Sequence, residues 1–140
     1  MGGVAMRVSV FGLGYVGTVS AACLAQRGHS VVGVDVNPDK VELLNKGRSS
    51  FVEPALEAIV AAGVRSRALR ATQDAKAAVL DTDASFICVG TPSEPSGAVN
   101  LRGVVSVCRE IGEAIRAKTD RKSTRLNSSH IPLSRMPSSA

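Results

Sequence analysis

Six residues near the amino terminus, Gly12-Leu13-Gly14-Tyr15-Val16-Gly17, carry the spacing G-x-G-x-x-G. Glycines are common in turns, so the spacing means little unless a strand runs into it and a helix leaves it. Both are expected here: Val8 to Phe11 reads as a strand and Tyr15 to Gln26 as a helix. In that setting each glycine has a task. Gly12 permits the tight turn, Gly14 lets backbone approach a diphosphate with no side chain in the way, and Gly17 lets the helix pack close to the strand. The diphosphate would rest on the helix N-terminus, where the N–H groups of Tyr15 and Val16 and the helix dipole favour negative charge. The chemistry these residues point to is dinucleotide binding.

Asp35 closes the next strand, 23 residues beyond Gly12, where a carboxylate accepts both hydroxyls of an adenosine ribose. Its charge opposes a 2′-phosphate, so NAD is expected over NADP. Lys40, five residues on, either reaches back to the same ribose or is a solvated surface lysine. Val89-Gly90-Thr91-Pro92 follows a later strand at the carboxyl edge of the sheet, where open parallel sheets bind ligands. Thr91 either hydrogen-bonds the cofactor there or belongs to a plain strand-ending turn.

The elements that must position these groups alternate between short β-branched runs and longer Ala/Leu-rich segments, which is the pattern of βαβ units. Arg27-Gly28-His29 stops the first helix, and Val31 to Val34 is the second strand. Asn37 caps a helix that has Pro38 at its first position and ends near Gly47. Glu53 to Ala62 reads as a further helix closed by Gly63, and Leu69 to Thr72 as a weak strand. Asp74 caps a short helix through Leu80, Ala84 to Val89 is a buried strand, and Val99 to Leu101 leads into a last helix ending about Lys118. The fold class expected is therefore α/β: a Rossmann-type doubly wound parallel sheet, incomplete, with about four strands and flanking helices.

With 140 residues, the chain has room for one ordinary domain, expected over residues 6–118. Apolar residues make up 44%, charged residues 21% and aromatics 3%, a globular composition with no run long enough to span a membrane. The net charge of +5 gathers at the end: residues 1–119 hold 13 bases against 11 acids. Without a basic stripe in the folded part, nucleic acid is not an expected partner. Cys23, Cys88 and Cys108 show no metal-ligand or disulfide spacing and read as small buried thiols of a reducing, cytoplasmic setting. Arg7 and the apolar run after it imitate a signal peptide only faintly, since Gly12, Gly14 and Gly17 interrupt it. Met6 is an alternative start to Met1.

Residues 119–140 read as a disordered tail, with six Ser, Pro132 and Pro137 and no helical or strand period. Asp120 to His130 (DRKSTRLNSSH) has the look of a translated sequencing-library adapter, and Ser134 to Ala140 of its continuation. The natural frame would then end near Thr119; a natural basic tail is the alternative. In either case the fourth strand is expected to leave one flank unpaired, because no fifth strand is read after it.

VFGLGYVG (Val10 to Gly17), GVDVNPDKVELLNKG (Gly33 to Gly47), VEPALE (Val52 to Glu57) and SFICVGTPSEPSGAVNL (Ser85 to Leu101) resemble, in order and spacing, the amino-terminal domain of the UDP-glucose/GDP-mannose 6-dehydrogenase family. VCREIGEAIRAK (Val107 to Lys118) inclines the resemblance to the GDP-mannose branch, with the UDP-glucose branch as alternative. The resemblance implies NAD contacts at Tyr15, Val16, Asp35, Lys40 and Thr91. It also implies a two-step oxidation of a nucleotide-sugar primary alcohol to a carboxylate with two NAD, in a homo-oligomeric enzyme. The family's catalytic cysteine, lysine and asparagine lie beyond the residues matched here, so no catalytic residue and no turnover are expected of this chain. It departs from the family at Ala55, where glycine is usual, and at Asn100, where aspartate is usual. A non-catalytic regulatory dinucleotide-binding module would share the glycine motif and Asp35, but Thr91-Pro92 and Glu53-Pro54 speak against it. Asp35 disfavours an NADP-linked reductase.

Overall fold

The structure is a computed structural model that describes residues 4–118 and the backbone of Arg125–Leu126. The elements run β1 (Arg7–Phe11), α1 (Tyr15–Gln26), β2 (Ser30–Val34), α2 (Pro38–Asn45), α3 (Pro54–Arg65), β3 (Leu69–Thr72), α4 (Ala75–Asp81), β4 (Ala84–Ile87), α5 (Arg102–Lys118) and β5 (Arg125–Leu126). The sheet order is β3-β2-β1-β4-β5, with every pair parallel. Growth runs one way from β1 to β2 and β3 and the other way to β4 and β5, so the order reverses between β1 and β4. A crevice opens at the carboxyl ends of the strands at such a reversal.

Side chains alternate across each strand, so one sheet feeds two cores. Val8, Val10, Val31 and Leu69 pack with Ala21 and Ala25 of α1 and Leu56 and Val60 of α3 on one face. Phe11, Val32, Val34 and Ile87 pack with Val79 of α4 and Ile111 of α5 on the other. Small residues on α1 let that helix lie close to the sheet. Between β1 and β4 the buried Ser9 and Ser85 sit directly opposite each other, with hydroxyl oxygens 2.7 Å apart, and Thr82 Oγ1 lies 3.1 Å from Ser9 Oγ. Slipping the register by one residue would bury these hydroxyls against apolar neighbours, so the polar chain pins the two halves of the sheet.

The helix starts follow their local chemistry. Asn37 Oδ1 accepts from Asp39 N at 2.9 Å ahead of Pro38, and Asp74 Oδ1 accepts from Ala77 N at 3.0 Å. Gly63 departs from expectation. The third helix does not stop there but runs to Arg65, and a Cβ on Gly63 would lie 3.1 Å from the Leu69 side chain. Gly63 is thus a point of close approach between α3 and β3, and the chain turns at Ser66 and Arg67, the latter at φ +65°. Ala55 lies in the first turn of α3 with no positive φ, so alanine meets no strain there. Cys23 and Cys108 are exposed rather than buried: each falls on the solvent side of its helix, and only Cys88 is half-buried.

The fourth strand is shorter than read, ending at Ile87, and its flank is not left bare. Arg125 and Leu126 pair in parallel with Ala84 and Ser85. An open row of N–H and C=O groups accepts an extended segment, whatever its own propensity. The rest of the segment read as a tail, residues 119–124 and 127–140, lies outside the described residues.

Candidate functional site

The turn after β1 is built by its glycines. Gly12 has φ +101° and donates its N–H to Val34 O at 2.8 Å, joining the ends of β1 and β2. A Cβ on Gly12 would lie 2.7 Å from the Cys88 carbonyl oxygen, and one on Gly17 only 1.7 Å from the Gly12 carbonyl oxygen. Both are therefore steric necessities of the crossing between α1, β1 and β4. Gly14 is different in kind: a Cβ there would meet nothing within 4 Å, and the residue has φ −75°. Its missing side chain leaves open space above the first turn of α1. Gly14 is also the N-cap, with no side chain capping the helix, so first-turn N–H groups are left to bind something else.

Asp35 is held more firmly than its place at a strand end suggests. Its Oδ2 accepts from Leu13 N inside the glycine turn at 2.7 Å, and its Oδ1 accepts from Asn37 N at 2.9 Å. The carboxylate thus braces the turn, and each oxygen can accept a further hydrogen bond. A cavity of about 630 Å³ opens there, lined by Gly12, Gly14, Tyr15, Val16, Asp35 and Lys40 among others. Its volume suits a large organic ligand.

Two residues singled out by sequence are not in that lining. Gly17 packs beneath the turn, and Thr91 is exposed on the loop after β4, where the lining ends at Gly90. Conversely, the far wall comes from Gln73 and Ala75 before and in α4, and from Ser106, Val107 and Glu110 of α5. Gln73 Nε2 donates to Val36 O at 3.1 Å, fixing the exposed Val36 at the rim. No local motif marks these residues, because only the packing of α4 and α5 on the sheet brings them to the crevice.

A further contact is missed by sequence. The Tyr15 hydroxyl donates to Glu53 Oε1 at 3.0 Å, and the Tyr15 ring meets Phe51 edge-on with centroids 5.3 Å apart. The hydrogen bond and charge of Glu53 raise the Tyr15 phenol above its ordinary pKa. At the opposite end of the sheet, Arg7 pairs with Asp83 at 3.1 Å, and the hydrogen bond from Arg7 holds the Asp83 carboxyl below the usual range.

The fit for a dinucleotide is good on the structure's own terms: open space over Gly14, free first-turn donors, and a braced carboxylate across the crevice. Among the described residues no cluster of His, Cys, Asp or Glu could hold a metal ion, and no helix is long and apolar enough to cross a membrane. Residues 6–133 match the profile of the UDP-glucose/GDP-mannose dehydrogenase family, NAD binding domain. The chain belongs to this family. Its cofactor is NAD.

Among relatives, GDP-mannose 6-dehydrogenase of Pseudomonas aeruginosa is 53% identical over 127 residues, which is 91% of this chain and 29% of that protein. UDP-glucose 6-dehydrogenase of Haloferax volcanii is 42% identical over 115 residues, 82% of this chain and 26% of that one. The fold superimposes on a GDP-mannose dehydrogenase from Pseudomonas aeruginosa, solved as a ternary complex, with a TM-score of 0.82, covering 89% of this chain and 28% of the other at 53% identity. A UDP-glucose dehydrogenase from Pyrobaculum islandicum gives 0.79 at 47% identity, covering 84% and 27%. The chain thus spans under a third of the length of the relatives it matches.

Proposed function

We propose that this chain is the cofactor-holding part of a nucleotide-sugar 6-dehydrogenase that oxidises GDP-mannose to GDP-mannuronate with two NAD. The observation that carries the cofactor assignment is the Asp35 carboxylate. It is braced by Leu13 N at 2.7 Å and Asn37 N at 2.9 Å, and it lines the cavity beside the glycine turn. In this reading Asp35 accepts the two adenosine-ribose hydroxyls, Lys40 approaches the same ribose, and the Tyr15 and Val16 N–H groups receive the diphosphate across Gly12 and Gly14. Gly17 lets α1 come close enough to do so. Bound there, the nicotinamide supplies a hydride acceptor. Thr91 joins the site if the exposed loop after β4 folds inward on the cofactor.

The residues described here bind and orient, and no turnover is expected of them alone, since the chain spans 29% of the length of its Pseudomonas relative. The 53% identity to a GDP-mannose enzyme favours that sugar nucleotide, and the 42% identity to a UDP-glucose enzyme makes UDP-glucose the second reading. The family resemblance supports a cytoplasmic site of action and a homo-oligomeric whole enzyme. Titration calorimetry of the chain with NAD and NADP tests the cofactor reading: NAD is expected to bind at least about tenfold more tightly, the effect of roughly 1.4 kcal/mol. Equal or tighter NADP binding would defeat the role given to Asp35. NADH formation from GDP-mannose by this chain alone would defeat the division of labour.

A further inference from the structure

Tyr15 is the single tyrosine of the chain, which has no tryptophan. It opens α1, lines the cavity and keeps 49% of its surface exposed, yet its ring is held from two sides. The phenol donates to Glu53 Oε1 at 3.0 Å, and Phe51 abuts the ring edge at 5.3 Å with the planes 85° apart. Phe51 is itself half-buried and packs against the core that holds α1. The segment presenting these partners is tightly turned: Phe51 N donates to Ser49 Oγ at 3.0 Å, and Glu53 N donates to Phe51 O at 2.9 Å.

Glu53 occupies the N-cap of α3, a position where a side chain ordinarily accepts a first-turn N–H of its own helix. It makes no such bond. Its carboxylate reaches instead across 38 residues of sequence to the helix that opens the cavity. A charge-assisted hydrogen bond thus joins the start of α3 to the start of α1, two helices that already share one core.

We infer that Glu53 is a positioning residue for the cofactor: through the Tyr15 phenol, with Phe51 against the ring edge, it locks the wall of the cavity at the first turn of α1. This rests on reading that cavity as the NAD site. A side chain at the first helical position has other staggered rotamers open to it. Once released, the ring samples these, and a diphosphate approaching the Tyr15 and Val16 N–H groups has to reorder it. Held by Glu53, the ring is already in place.

The test uses the full chain and its Glu53→Ala and Glu53→Gln variants. With one tyrosine and no tryptophan, emission reports Tyr15 alone, and a phenol bonded to a carboxylate is quenched. At neutral pH without cofactor, Glu53→Ala is expected to be brighter than the parent, with melting temperatures within about 3 °C. By calorimetry, Glu53→Ala is expected to bind NAD about fivefold more weakly, the scale of one exposed hydrogen bond. Glu53→Gln keeps an acceptor for the phenol and is expected to restore affinity to within about twofold of the parent. Unchanged emission in Glu53→Ala would overturn the contact, and raised emission with unchanged NAD affinity would overturn the positioning role. A parent that fails to bind NAD while showing quenched Tyr15 would overturn the cofactor reading and this inference with it, leaving the contact itself standing.

Discussion

Replacing Gly14 and Gly17 one at a time by alanine separates binding from folding, although both glycines belong to one motif. At Gly14 the added methyl meets nothing within 4 Å and φ is −75°, a value alanine adopts freely. Folding stability should therefore change by less than about 1 kcal/mol, because alanine restricts the unfolded chain more than glycine does but is the poorer N-cap. The same methyl projects into the cavity over the first-turn N–H groups. If it displaces the diphosphate from one charge-assisted hydrogen bond, at about 1.5 to 3 kcal/mol, NAD affinity falls by roughly 10- to 100-fold. At Gly17 the methyl would sit 1.7 Å from the Gly12 carbonyl oxygen, so α1 must move away by more than 1 Å from a backbone atom that cannot rotate aside. Overpacking of this kind costs about 1 to 3 kcal/mol or more, which lowers the melting temperature of a domain this size by at least about 5 to 15 °C. Circular dichroism melts and titration calorimetry read the two effects. Gly14→Ala that binds NAD like the parent, or Gly17→Ala that melts with it, would refute the reasoning.

Three other outcomes follow from named contacts. Asp35→Asn keeps an acceptor for Leu13 N but removes the charge, so NADP should gain on NAD by about tenfold in competition titrations; an unchanged ratio counts against electrostatic exclusion of the 2′-phosphate. Asn45 pairs with both backbone groups of the nearly buried Ala71, accepting from its N–H at 2.8 Å and donating to its carbonyl at 3.0 Å. Asn45→Ala strands those groups on the outer side of β3 and should cost about 1 to 3 kcal/mol in urea unfolding, whereas Asn45→Asp should preserve one of the two bonds. Asp83 has its pKa lowered in the folded state, chiefly by the hydrogen bond from Arg7. Its contribution is therefore fully present above the ordinary carboxylate range and is lost as pH falls through the lowered value. Asp83→Asn should flatten the acid side of the melting-temperature profile, and an unaltered profile would show that the exposed pair contributes nothing.

Much of the frame is legible in the amino-acid sequence. The bounds of α1 at Tyr15 and Gln26 and of β3 at Leu69 and Thr72 are as read, and so are the caps at Asn37 and Asp74. Backbone conformation and capping depend on residues within a turn or two, so spacing along the chain suffices to find them. The tasks given to Gly12 and Gly17 follow for the same reason: a strand, a tight turn and a helix in succession admit few packings.

Contacts between distant segments were decided only by tertiary structure. Gly63 reads as a stop because glycine often is one, but the approach of Leu69 across the α3–β3 contact gives it a packing role inside the helix. Nothing near Glu53 indicates Tyr15, and nothing near Asn45 indicates Ala71, since each pair meets only after the sheet has ordered its strands. The wall that Val107 and Glu110 add to the cavity depends on where α5 lies on the far face. The pairing of Arg125–Leu126 with β4 is the same case: two residues carry no period of their own, and only an open edge in reach of the chain makes them a strand.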